Sequence, residues 1–112
     1  MTLQIIGTKK SSETRKAIRY CKEHSIPYQF MDLLRRRLSP GELTHILQYV
    51  DQEELVDKSS KYYINHGYAY LDYDPIEEIL EHNELIRMPV IRTSLHVLVG
   101  FNQKTLDLIV ED

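Results

Sequence analysis

Leu3-Gln4-Ile5-Ile6-Gly7-Thr8-Lys9-Lys10-Ser11-Ser12-Glu13-Thr14-Arg15-Lys16-Ala17 is the stretch whose reading decides the fold. Leu3 to Ile6 is an apolar run of strand length, and the residues that follow are polar and loop-like. From Ser12 to about His24 the pattern turns helical, with Thr14, Ala17, Ile18 and Cys21 at the spacing of one buried stripe. Far downstream, Leu85-Ile86-Arg87-Met88-Pro89-Val90-Ile91 sets a proline at the mouth of a second apolar strand.

Working outward, Ile26-Pro27 ends the first helix and Tyr28 to Leu33 reads as another strand. Ser39-Pro40-Gly41-Glu42 carries three helix-start signals: a capping Ser, Pro in the first turn, and Glu three residues after the cap. Leu43, Ile46, Leu47 and Val50 mark the inner face of that helix. Asp51 with Glu54 repeats the capping pattern for a short helix through Val56. Ser59 or Ser60 starts another, which ends near Gly67. Asp74-Pro75-Ile76-Glu77 opens a further one, with Ile76, Ile79 and Leu80 inward. Strands over Met88 to Arg92 and His96 to Val99 follow, joined by a turn at Thr93-Ser94, and Asn102 caps a last helix carrying Leu106 and Ile109. The order predicts an α/β fold.

Composition fits one small domain, since 112 residues can bury one core but not two. No run approaches the ~20 apolar residues that cross a bilayer. Met1-Thr2-Leu3 opens without the basic and apolar regions of a signal peptide, so a cytoplasmic protein with no membrane partner is expected. A formal charge of -3 argues against bulk nucleic-acid binding. A single cysteine excludes an intrachain disulfide and any multi-cysteine metal site.

The two opening segments together resemble the ArsC/Spx family of thioredoxin-fold proteins. In that family the first segment carries Cys-x-x-Cys, or a lone Cys, just before Arg-Lys-Ala. Here Ser11 and Thr14 stand at the matching positions, ahead of Arg15-Lys16-Ala17. The resemblance runs over essentially the whole chain, including Leu38-Ser39-Pro40, the stretch from Asp57 to Tyr62, and Val99-Gly100-Phe101. It implies a thioredoxin-like fold in a single domain over residues 1–112. A helical insert, at about residues 39–84, separates the second and third strands. It also implies that Pro89 is cis and faces the loop of Ser11. Members with arsenate reductase activity usually carry arginine directly before this proline. Met88 takes that position here, and Arg87 lies one residue earlier, on the opposite side of the strand by alternation. The helper arginine of the insert matches Lys58, a point charge where the family has a bidentate fork.

A thiol at a helix N-terminus is stabilised as thiolate by free N–H groups and the dipole, and reduction requires sulfur to change oxidation state. A serine hydroxyl cannot do this. Cys21 lies about 15 Å further along a helix rising about 1.5 Å per residue, and it shares a face with Ala17 and Ile18, as a core thiol would. Hydrolysis by Ser11 or Ser12 needs a base, and the nearest histidine in sequence, His24, is about 18 Å along the same helix.

What remains is a geometry suited to anions. Ser11, Ser12 and Thr14 offer hydroxyls, and Lys9, Lys10 and Arg15 offer charge. The plainer alternative is that Ser11 or Ser12 only caps the helix. Arg35-Arg36-Arg37 is either a solvated charge run or a contact for an acidic partner. Five of the eight tyrosines lie between Tyr62 and Tyr73, either as an interface or as cover for the insert. The five histidines lack ligand spacing, so no metal is expected.

Two functional classes follow from the resemblance. The first is a non-catalytic binding or regulatory protein without a cofactor. Its protein partner would belong to the transcription machinery, because members of the Spx branch act by binding RNA polymerase; direct nucleic-acid binding is not expected. The second is an enzyme: an arsenate reductase-like or glutaredoxin-like oxidoreductase of weak or altered activity using glutathione, or an oxyanion-binding enzyme. An enzyme would need a ligand-sized pocket joining Ser11, Lys58, Arg87 and Pro89.

Overall fold

The computed structural model describes residues 3–110. They gather into two compact units, one taking the chain up to Arg36 and again from Met88, the other Arg37–Arg87.

In the first unit, β1 (Leu3–Gly7) lies parallel to β2 (Tyr28–Asp32) and antiparallel to β3 (Val90–Arg92). β3 in turn pairs antiparallel with β4 (Val97–Val99), so the sheet order is β2-β1-β3-β4. This register puts Leu3, Ile5, Tyr28, Phe30, Ile91 and Leu98 on one face. The helices α1 (Ser12–Glu23) and α6 (Gln103–Val110) bury Ala17, Ile18, Tyr20, Cys21 and Leu106 with the apolar residues of that face. Each large apolar side chain so buried contributes about 1.5–3 kcal/mol. The Tyr20 hydroxyl donates to Asp107 Oδ1, tying the two helices together.

β1 runs one residue past the predicted Ile6, to Gly7, whereas β2, β3 and β4 are each shorter than the sequence predicts, for local reasons. β2 stops at Asp32, not Leu33, because Asp32 closes a turn: its Oδ1 accepts from the Leu34 N–H at 3.0 Å and its carbonyl from the Arg35 N–H at 3.0 Å. β3 starts at Val90, not Met88, because the Met88–Pro89 bond is cis and proline has no N–H to give the ladder. β4 starts one residue after His96, whose N–H and carbonyl both bond Thr93 in the turn.

The second unit is helical. α2 (Pro40–Leu47) starts from a complete capping box of Ser39 and Glu42. Asp51 caps α3 (Gln52–Leu55) through the Glu53 N–H, Ser60 caps α4 (Lys61–Asn65), and Asp74 caps α5 (Pro75–Glu81). Gly67, with φ of 67°, takes the left-handed conformation that ends the α4 segment. Leu43, Ile46, Leu55, Ile79 and Leu85 are fully buried, whereas Leu47, Val50, Ile76 and Leu80 are only half-buried. Buried Asn83 links the ends of this unit: its Oδ1 accepts from the Leu38 N–H at 2.9 Å and its Nδ2 donates to the Ile79 carbonyl at 2.7 Å.

Candidate functional site

At the head of α1, Ser11 is extended (φ −79°, ψ 123°) and its Oγ accepts from the Thr14 N–H at 3.2 Å. Ser11 is therefore the helix cap. Ser12 is exposed, as are Lys9, Lys10 and Arg15. The Arg15 Nη1 donates to the Lys9 carbonyl at 2.6 Å, which folds the guanidinium back over the loop. Glu13 adds a carboxylate to the first turn, where its Oε1 accepts from the Phe101 N–H at 3.4 Å and offsets part of the positive field.

Thr14 lies on the buried stripe of α1, as its spacing predicts, and so does not offer its hydroxyl at the surface. Its side chain is wholly buried, and its Oγ1 has no hydrogen-bond partner among the described residues. A Cβ built on Gly7 would lie 2.6 Å from that oxygen, so the glycine is what makes room for it. Thr14 is thus out of reach of a bound anion.

Cys21 is buried, and that burial pushes its thiol up to about 11, so it stays protonated at neutral pH. Pro89 is fully buried after its cis bond, and its carbonyl accepts from the Gly100 N–H at 2.8 Å. Lys58 and Arg87 belong to the second unit. There Lys58 Nζ pairs with Glu53 Oε2 at 3.3 Å. The Arg87 N–H donates to the Leu55 carbonyl at 2.7 Å, beside a Val56–Ile86 bridge and outside β3.

The tyrosines form a cluster within the second unit. Tyr63 and Tyr68 are buried and stacked at 5.7 Å, and Tyr73 meets Tyr68 edge-on at 5.1 Å. Tyr68 donates to Glu78 Oε1 at 2.9 Å, and burial followed by that carboxylate pushes its phenol well above the ordinary range. Burial first, then the neighbouring Tyr63, pushes Tyr73 up to about 12. Tyr70, 93% exposed, takes no part in the packing. Cover and display are divided among the five rings.

Two groupings escaped the sequence reading. Glu78, Glu81 and His82 bring ligand atoms within 4.8 Å of one another; a search for paired histidines does not see them. In the first unit a cleft of about 330 Å³ opens between α1 and β2, lined by Lys9, Arg15, Ile18, Arg19, Lys22, Tyr28 and Phe30. Its signals in sequence are the cations at 15, 19 and 22, one helical stripe, and the aromatics at 28 and 30, one face of a strand.

A four-stranded sheet backed by helices, with a cis-proline entering β3 and a capped loop leading into α1, defines a thioredoxin-like α/β protein. A model of the ArsC family matches residues 6–109, and the chain belongs to that family. It is 31% identical over 109 residues to the global transcriptional regulator Spx 2 of Oceanobacillus iheyensis, covering 92% of this chain and 79% of that one. It is 29% identical over 94 residues to the global transcriptional regulator Spx of Staphylococcus aureus, covering 80% and 72%. Among solved structures it is similar to an ArsC family related protein from Bacteroides fragilis, with a TM-score of 0.85, 17% identity and coverage of 97% and 98%. It is also similar to an arsenate reductase from Vibrio cholerae, with a TM-score of 0.76, 17% identity and coverage of 99% and 97%. At those identities the solved structures show the fold alone.

Proposed function

We propose that this chain is a non-catalytic regulatory protein of the ArsC family, acting in the cytoplasm by binding a protein of the transcription machinery. The head of α1 carries the reading. The family's cysteine positions correspond to Ser11, whose hydroxyl is spent as a helix cap, and to Thr14, which is buried. The one thiol, Cys21, is held protonated in the core. No thiolate stands where a reductase needs one, and a thiol switch in the loop has nothing to oxidise. The similarity to transcriptional regulators named Spx supplies the partner class.

Two measurements test this. Arsenate turnover with glutathione and glutaredoxin should equal the protein-free control, and Cys21→Ser should leave it there; turnover above that level would restore the enzyme reading, with glutathione as its cofactor. The chain should also bind the RNA polymerase of its source cell saturably by biolayer interferometry, equally under dithiothreitol and diamide. No binding, or binding that diamide abolishes, would sink the regulatory reading as stated.

A further inference from the structure

β2 is an edge strand, paired only with β1 among the described residues. The Leu3 N–H donates to the Pro27 carbonyl and the Leu33 N–H to the Gly7 carbonyl, which fixes the parity of the ladder. Odd-numbered residues of β2 face β1, so the N–H and C=O groups of Tyr28 and Phe30 point out of the sheet. A free edge of this kind is a template for another strand.

The α1 flank of that edge is basic. On the α1 side Tyr28 and Phe30 floor the cleft, with Arg15, Arg19 and Lys22 along its wall and Lys9 Nζ 5.8 Å above the Phe30 ring. On the opposite face a cleft of about 240 Å³ is lined by Gln29, Met31, Asp32, Arg35 and Arg36, with Arg35 paired to Asp32 at 3.9 Å. The whole chain carries -3, so this edge is positive against a negative background. Two copies meeting edge to edge would set these cations against each other. An acidic strand would be attracted instead.

We propose that the β2 edge receives an acidic, extended segment of a partner protein, which adds to the sheet by backbone pairing while the carboxylates of one face meet the cations of α1. The spacings agree. Arg15 to Lys22 spans about 10 Å of helix axis, and same-face residues of an added strand recur about every 6.7 Å. Two carboxylates can therefore meet the cationic stripe. The existing Arg19–Glu23 pair, at 3.6 Å and largely exposed, is readily exchanged for a ligand carboxylate. This surface deepens the protein-binding reading and rests on it. It lies at the opposite side of β1 from β3 and Pro89.

The probe is a fluorescein-labelled peptide of about ten residues alternating Glu and Val, a sequence that presents one acidic face when extended. It should bind the full chain, shift the amides of Tyr28–Asp32 and Arg15–Lys22, and slow hydrogen exchange at the Tyr28 and Phe30 N–H groups. The surface variant Arg19→Glu with Lys22→Glu should weaken binding about tenfold or more, as exposed pairs turn from attraction to repulsion. A Lys/Val peptide should then bind that variant. Three outcomes would overturn the assignment: equal binding of a peptide N-methylated on alternate residues, which cannot pair as a strand; displacement of the peptide by ATP or inorganic triphosphate at lower concentration, which would make the cleft a small-anion site; or absence of binding. Polymerase binding retained by the charge-reversed chain would reject this surface and leave the regulatory reading standing.

Discussion

Thr14 shows most directly what one side chain does here. A buried hydroxyl without a partner costs about 1–3 kcal/mol, whereas a methyl of the same shape costs nothing of the kind. Thr14→Val should therefore raise the stability of the folded chain by about 1 kcal/mol, read as a higher Tm; a fall would mean the hydroxyl has a partner such as a buried water. Ser11→Ala should act in the opposite sense and cost about 1 kcal/mol, since it strips the cap from α1. Cys21 gives a pH dependence. Its folded value of about 11 lies above the ordinary 9.0, so the unfolded chain releases this proton first. Stability then falls as pH rises from 9.0 towards 11, and denaturant midpoints measured across that range should fall less in Cys21→Ser.

At the scale of elements, the helix starts were legible because a cap is local chemistry. Ser39, Asp51, Ser60, Asp74 and Asn102 each accept from a backbone N–H two or three residues on, as their side chains allow. Strand starts were less legible: Met88 and His96 read as strand by composition, but a cis-proline and a Thr93 turn claimed their backbone groups. The tyrosines were legible as a cluster and not as individuals, since only packing separates buried Tyr63 and Tyr68 from exposed Tyr70. Titration reads the packing of Tyr68 and Tyr73. By phenolate absorbance Tyr73 should ionise only near 12, and Tyr68 later still or on unfolding. Each raised phenol stabilises the fold below its unfolded value and loses that contribution as pH climbs. Ionisation of Tyr68 and Tyr73 at the ordinary 10.0 would show the cluster open to solvent.

For the molecule as a whole, the α/β order and the family were legible from two segments, while the basic edge of β2 was not. Net charge averages over the surface, so a total of -3 concealed a local cationic strip that only the docking of α1 beside β2 assembles. The same distinction between frame and residues leads to a test of what this scaffold has kept. α1 still begins at an exposed loop beside a cis-proline strand, with Gly7 making room for position 14. If the frame is intact, it should still activate a thiol supplied to it. In a Cys21→Ser background, Ser11→Cys should be alkylated by iodoacetamide at neutral pH far faster than the native Cys21, because the free N–H groups of α1 stabilise its thiolate. Adding Thr14→Cys should let diamide oxidise the pair to a disulfide, each sulfur giving up one proton and one electron to the reagent, with the bond opened again by dithiothreitol. A thiol at position 11 that reacts no faster than free cysteine would mean that Glu13 has cancelled the field of the helix. The head of α1 would then lack the electrostatics of a redox site as well as a thiol.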